Sequence, residues 1–406
     1  MRISTSTMYE TGVAQLNTLQ SNIARTQQQL ASNRRMLSAA DDPIAAARAL
    51  EVTQTKAVNT QFATNRDNAR ASLAQVDLRL GGVTSLIQDV QSLAIKAGNG
   101  VLSAADRQSL AVELEGQLED MMGLANSTDG AGTYLFAGYK SSTVPFTRTA
   151  AGAQYAGDQG QRELQVSSSR KIAISDPGSA IFESNMTGNG KFATTASAAN
   201  VGTGVVSNGT VTNAAQLTGH QYEVSFAGSG SGATYTVLDK NTGAAPAGMA
   251  GPQPFVPGQN IEFDGMSFKM RGSPTAGDQF AVDPSARQSV FKTMTDLIAT
   301  LRAPVGGPTN TTAYSNGLVK ANENLVSALD SVLSVRSSAG SRMKELDTLD
   351  TAGEDLNIQY ESTLSKLQDL DLVAAITQFT QQQTTLEAAQ KSFKSLSGLS
   401  LFNYIG

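Results

Sequence analysis

Apolar residues recur at every seventh position near both ends of the chain. Tyr9, Leu16, Ile23, Leu30 and Leu37 form one series, with Leu19 on the same face. Leu372, Phe379, Leu386 and Phe393 form the other, with Ala389 and Leu396 beside them. Strict seven-residue spacing predicts coiled-coil seams rather than ordinary amphipathic surface helices. In the first series the second set of positions fails after Leu19, where Thr26 and Asn33 fall. That seam is therefore weak alone, and an isolated helix here is marginal. Full burial of one Leu or Phe is worth about 1.5–3 kcal/mol. Ordering the backbone costs about 1–2 kcal/mol per residue, so five such positions fall short of the ordering cost of either end. The two ends need each other, and neighbouring copies, to become stable.

Between these seams the pattern predicts more helix, then strands, then helix again. Asp42 followed by Pro43 reads as the N-cap and first residue of a long helix, with Val76, Leu80, Val83, Ile87, Val90 and Ala94 on one face. Gly81-Gly82 should weaken it, and Gly98-Asn99-Gly100 should end it. Ser103 and Asp106 form a capping-box pattern before a helix bearing Leu110, Leu114, Leu118 and Met121. Residues 222–226 and 234–238 alternate as strands, and Asp264-Gly265 between apolar flanks signals a two-residue hairpin turn. Asp283-Pro284 reads as a second cap-plus-proline pair. It precedes a stripe of Val290, Phe291, Met294, Leu297, Ile298 and Leu301 and a long helical run from about Tyr314 to Tyr360.

The expected fold is mainly α with a β insertion: a long antiparallel helical bundle or coiled coil formed by both termini, plus a small β-rich outer domain. The expected division is 1–40 with 365–406 as a terminal coiled-coil domain, 41–145 with 284–364 as a helical bundle domain, and 146–283 as the β-rich insertion.

Composition narrows the chemistry. The 406 residues include no Cys, no Trp and a single His, which removes disulfides, thiolate catalysis and Cys-based zinc sites. A net charge of -5 means that nothing in the overall balance calls for nucleic acid, and no basic run is visible in the sequence. No apolar run is long enough to span a membrane, and the N-terminus lacks the apolar stretch of a cleaved signal peptide. His220 alone does not make a Ser-His-Asp site. Asp41-Asp42 reads as helix capping rather than a pair of acid/base groups. The Gly228–Gly232 stretch lies between strands and lacks the Lys-Ser/Thr of a phosphate loop. No catalytic, cofactor or metal residue is expected. Arg25, Arg34 and Arg35 read as the polar side of the first seam rather than a membrane-binding face.

At both ends the residues resemble a known family. Residues 1–23, followed by LSAADDPIAAARAL (residues 37–50), look like the N-terminus of the flagellin superfamily, and residues 370–406 look like its C-terminus. The Asp41-Asp42-Pro43 form and the opening Met-Arg-Ile-Ser-Thr resemble the hook-associated members found at the hook–filament junction. Residues 132–146 and 274–290 are similar to the stretches where that group leaves and re-enters its helical domain. Where the family has Gly before a basic pair, this chain has Asn33, the residue type next most tolerant of a left-handed backbone.

The resemblance implies an extracellular structural subunit of the bacterial flagellum, forming a ring that adapts the hook to the filament. It implies export through the flagellar type III apparatus without a cleaved signal. It also implies four partners: further copies of the chain, the first hook–filament junction protein, flagellin, and a cytoplasmic export chaperone at the C-terminal region. Within the structural class the alternative is a filament flagellin, but flagellins usually carry Asp-Asp-Ala-Ala-Gly and a Leu-Leu-Arg-like end instead of Asp41-Asp42-Pro43-Ile44 and LFNYIG. From another class, the β insertion could carry a ligand-binding or enzymatic module. No convergent His, Cys or carboxylate cluster in the sequence supports that.

Overall fold

The computed structural model describes residues 5–100 and 102–398. The helices are α1 (Thr5–Ser32), α2 (Pro43–Ala97), α3 (Ala104–Ala125), α4 (Val290–Arg302), α5 (Gly307–Gln368) and α6 (Leu372–Gly398). All the strands lie between α3 and α4. The chain divides into two compact units, Met1–Thr64 with Thr348–Gly406, and Asn65–Asp347. The helices α2 and α5 contribute segments to both.

In the first unit α1 packs on α6, and the start of α2 lies antiparallel to the end of α5. Asn59 Nδ2 donates to the Gly353 carbonyl at 2.8 Å and to Asn357 Oδ1 at 2.9 Å, and Lys56 pairs with Glu361 at 2.8 Å.

The second unit holds the largest hydrophobic core. Along α2, Ala69, Leu73, Val76, Leu80, Val83, Ile87, Val90, Ala94 and Ala97 alternate three- and four-residue steps, and all are buried. The same steps run along α5 through Tyr314, Leu318, Ala321, Leu325, Ala328 and Val332. The two faces meet antiparallel: Arg336 Nε donates to Asp77 Oδ1 at 2.9 Å, and Tyr314 Oη donates to the Ala97 carbonyl at 2.8 Å. Gly81-Gly82 leaves α2 unbroken, because burial of its flanking stripe outweighs a propensity loss of about 1 kcal/mol per Gly.

Helix α3 begins with the expected capping box at Ser103 and Asp106 and packs on α4. Asp283-Pro284 is not a helix cap. Both residues end a strand paired to Ala193 and Phe192, and the cap of α4 is Ser289, whose Oγ accepts from the Lys292 amide at 3.3 Å. Pro284 is tolerated because it closes the strand, where its missing N–H costs little.

The strands are β1 (Phe146–Thr149), β2 (Gly152–Tyr155), β3 (Glu163–Gln165), β4 (Lys171–Ala173), β5 (Asn185–Met186), β6 (Phe192–Ala196), β7 (Val205–Val206), β8 (Thr210–Val211), β9 (Tyr222–Ala227), β10 (Thr234–Asp239), β11 (Gln253–Pro254), β12 (Asn260–Phe263), β13 (Met266–Arg271), β14 (Gln279–Pro284) and β15 (Arg287–Gln288). A five-stranded sheet runs β11-β10-β9-β14-β6, and a smaller one runs β12-β13-β7 with β8 also on β13. Their facing side chains form a second core around Tyr222, Val224, Phe226, Phe263, Phe268 and Phe280. The β12–β13 turn is the expected one: Asp264 has φ 44° and Gly265 φ 75°, the two positive values a tight hairpin of this type needs. Tyr222 Oη donates to Asp264 Oδ2 at 2.7 Å and holds that turn to β9 of the larger sheet. The pairs β1–β2, β3–β4 and β5–β15 stand outside these sheets.

Phe291 is fully buried against Phe146 and Phe182. Phe291→Ala is expected to cost about 3–5 kcal/mol, read as an earlier urea unfolding transition. An unshifted transition would mean that this cluster does not hold the helical core together.

Candidate assembly interface

The first unit is where the two chain ends meet. The seam of α1 runs through Gly12, Leu16, Leu19, Ile23, Thr26 and Leu30, and that of α6 through Ala375, Phe379, Gln382, Leu386, Ala389 and Phe393. Each series alternates steps of four and three. The helices are antiparallel: Tyr9 and Phe393 stack with ring centroids 5.0 Å apart, and Thr26 Oγ1 donates to Gln382 Oε1 at 3.0 Å. The ring of Phe393 lies on the backbone of Gly12, where an added Cβ would sit 2.8 Å from two ring carbons.

Not all the predicted positions behave alike. Leu16, Ile23, Leu30, Phe379, Leu386 and Phe393 lie on the seam, each only half-buried. Tyr9 is 56% exposed despite its stacking. Leu37 lies beyond the end of α1, in the loop, and is exposed, and Leu372 is the exposed first residue of α6. Leu37 leaves the series because α1 ends at Ser32, and Leu372 sits at the exposed tip of α6, ahead of the first buried seam position, Ala375. The side chain of Leu396 and the terminal segments 1–4 and 399–406 lie outside the described residues.

Thr26 looks like a break in the apolar pattern, yet it is among the few fully buried positions on the seam. With Gln382 it forms a polar layer, a device that fixes register at a cost in stability. The signal available in the sequence was its position alone, three residues after Ile23 and four before Leu30.

The loop after α1 is tied to the end of α5. Asn33 adopts the left-handed backbone expected of it, φ 52°. The Arg35 amide donates to the Gln368 carbonyl at 2.8 Å, and its guanidinium reaches the Leu367 carbonyl at 3.0 Å. The two aspartates do separate work. Asp42 Oδ1 caps α2 by accepting from the Ala45 amide at 3.0 Å. Asp41 Oδ2 instead accepts from the amides of Leu37 and Ser38, each at 2.9 Å, while Arg25 holds its Oδ1 at 2.7 Å. The Ser38 and Leu37 amides, with Arg25 adding to them, hold the Asp41 carboxyl below the usual carboxylate range. Pro43 opens α2. Arg25 and Arg35 are thus engaged by Asp41 and Asp42.

Several large apolar side chains of this unit face outward: Ile44, Leu50, Ile358, Val373 and Ile376, with Val373 78% exposed. Leu50, Val373 and Ile376 sit off both seven-residue counts, whereas Ile44 and Ile358 keep the count but lie on α2 and α5.

Elsewhere, His220 Nδ1 lies 2.7 Å from Asp239 Oδ2 beside the larger sheet. Among the described residues, no group of three or more His, Cys, Asp or Glu lies together as a metal site, and no helix is long and apolar enough to cross a membrane.

Residues 3–141 match the bacterial flagellin N-terminal helical region, and residues 195–284 match the D2-like domain of flagellar hook-associated protein 1. The flagellar hook-associated protein 3 of Salmonella typhimurium is 29% identical over 403 residues, 99% of each chain. The crystal structure of Xanthomonas campestris FlgL is 30% identical, covers 77% of this chain and 99% of its own, and superposes with a TM-score of 0.70. The flagellar junction protein FlgL of Legionella pneumophila is 30% identical over 79% of this chain and its own full length, with a TM-score of 0.71. This chain belongs to the flagellar hook-associated protein 3 family. The mainly α architecture, with both ends paired and a β-rich middle, is that of the FlgL structures. The match over residues 195–284 extends the likeness into the β-rich middle, where the sequence motifs at the two ends do not reach.

In this member of the family, Thr26→Val is expected to weaken the terminal pair by about 1–3 kcal/mol, because it strands the Gln382 amide. Replacing both, Thr26→Leu with Gln382→Leu, is expected to raise the stability of the pair. Thermal unfolding followed by circular dichroism distinguishes the two, and a double variant less stable than the single one would contradict the polar-layer account. At the loop, Asp41→Asn is expected to destabilise at neutral pH. The charge of Asp41 contributes stability above its unfolded-state pKa, near 3.8, and loses it as pH falls through the lower folded-state value. The gap between wild type and Asp41→Asn should therefore close at the most acid pH, and a gap that widens there would contradict it.

Proposed function

We propose that the chain is a structural, non-enzymatic subunit of the bacterial flagellum that forms the junction ring adapting the hook to the flagellin filament. The observation that carries this reading is the contrast between the two seams within a family of junction proteins. The α2 stripe from Leu73 to Val90 is fully buried, whereas among the described residues no large apolar side chain of the α1–α6 seam is fully buried within one chain. A half-covered seam with Val373 and Ile376 exposed beside it is the surface of a part completed by neighbours. A head-to-tail contact between identical subunits closes into a ring or climbs as a helix.

On this reading Tyr9, Leu16, Ile23, Leu30, Leu37, Leu372, Phe379, Leu386, Phe393 and Leu396 belong to the assembly surface. Asp41, Asp42 and Pro43 hold the turn that aims it. The segments 1–40 with 365–406 act as the assembly domain, 41–145 with 284–364 as a helical bundle domain, and 146–283 as an appended β domain. The subunit contacts further copies of itself, the first hook–filament junction protein and flagellin, and neither nucleic acid nor membrane. It leaves the cell through the flagellar type III apparatus without a cleaved signal, escorted by a cytoplasmic chaperone at its C-terminal region. Weakly held ends suit that route, since they unfold at low cost.

Deleting the gene tests the reading. Hooks are expected to remain, with flagellin monomers shed into the medium, as seen by electron microscopy and by blotting the supernatant. Cells that make no flagellin at all would identify the chain as the filament protein instead.

A further inference from the structure

Residues 188–208 of the β domain are pinned to α5 by two asparagines. Asn316 Nδ2 donates to the Gly204 carbonyl, and its Oδ1 accepts from the Val206 amide, both at 3.1 Å. Asn324 Oδ1 accepts from the Gly188 amide at 3.1 Å. Glu323 lies between these pins. It is 5% exposed, and its Oε1 is buried with no hydrogen-bond partner. The side chain borders two cavities. One, of about 270 Å³, lies between residues 194–198 and the α5 residues Asn316 and Lys320. The other, of about 360 Å³, lies between residues 184–190 and the α5 residues Ser327 and Asp330.

We propose that Glu323 is a proton-operated latch between the β domain and α5: its neutral carboxyl keeps the joint closed, and its ionised carboxylate loosens it. An anion buried at that place has no compensating partner, and such a charge is far costlier than a neutral acid. Of the residues lining the two cavities, only Lys320 and Asp330 besides Glu323 are charged. Those contributed by β5, β6, β7 and the connecting loops are uncharged. Lys320 is exposed and makes no ion pair with Glu323 close enough to neutralise it, while Asp330, two turns along α5, opposes a second negative charge. The second cavity also carries a buried unpaired acceptor, Asn185 Oδ1. An unpaired acceptor on that wall favours the form of Glu323 that has a donor to offer.

Burial pushes the Glu323 carboxyl up to about 7, with Lys320 only partly opposing it, against 4.5 when free. A group whose folded-state value is raised in this way stabilises the closed joint fully below the free value. That contribution declines as pH climbs between the two values and is gone above the upper one. The open fraction of the joint should therefore rise on the order of a hundredfold across that window. This inference does not depend on the role in the flagellum.

The test is hydrogen exchange followed by mass spectrometry on the full chain between pH 5 and pH 8.5, corrected for the intrinsic exchange rate. Peptides covering residues 188–208 are expected to lose protection as pH rises, while those within 104–125 do not. In Glu323→Gln the protection should be independent of pH. Wild-type protection that does not change, or a dependence retained in Glu323→Gln, would overturn the latch. So would a wild-type dependence abolished by millimolar calcium, which would make the cavity a cation site. If the variant does not fold, a carbon-13 titration of the glutamate carboxyls in the wild-type chain decides: one carboxyl titrating between pH 6 and 8 is expected, and none above 5.5 overturns the proposal.

Discussion

Each helix from the first third of this chain buries its apolar stripe against a helix from the last third. Helix α1 takes α6, α2 takes α5, and α3 takes α4. The pairs are nested, so every helical contact of this kind spans the whole β-rich middle. A helix of these pairs cannot bury its stripe without its distant partner, and loop-closure entropy must be met before the pairings stabilise anything. The β domain can then be large because it is inserted between α3 and α4, where its two ends return close together: Phe146 at its start stacks on Phe291 just after its end, with ring centroids 5.0 Å apart.

Much of this architecture was legible in the sequence because it rests on periodicity. The stripes from Val76 to Ala94, Leu110 to Met121 and Val290 to Leu301 are buried as their spacing implies. The Asp264-Gly265 turn followed from backbone sterics, as did the left-handed Asn33. What periodicity could not reveal is where a helix stops. Leu37 and Leu372 keep the seven-residue count but fall outside the paired stretch, so counting alone places them on a seam they do not reach. Asp283-Pro284 has the composition of a helix start but the hydrogen bonds of a strand end, since cap and strand terminus share the same local chemistry. Thr26 has the look of a gap in the sequence but is a buried polar layer in the fold, because its partner Gln382 lies 356 residues away. Glu323 carried no sequence signal at all. An acidic residue on a helix is ordinarily solvated, and only its position beneath the β domain makes it unusual.

The two long seams differ in kind, and the difference is chemical. Along α2 and α5 the facing positions are mostly Leu, Ile, Val and Ala, all buried, and those of α2 from Ala69 to Val90 have no exposure over about six turns. Along α1 and α6 they include Gly12, Thr26, Gln382 and Ala389, which leave little apolar area to bury. A helix pair of that composition is held as much by register-setting contacts as by hydrophobic burial: the Thr26–Gln382 layer, the Phe393 ring on Gly12, and the Arg35 bonds at the closed end. Those contacts position the pair without sealing it. A sealed pair would have no apolar surface left for a neighbour.

The most direct measurement of this account is hydrogen exchange along α1 and α6 in the free chain and in its assembled form, with α2 residues 76–97 as an internal reference. The account predicts weak protection of residues 5–32 and 372–398 in the free chain, strong protection of both after assembly, and a reference segment protected in both states. Terminal helices as well protected in the free chain as in the assembly would contradict it.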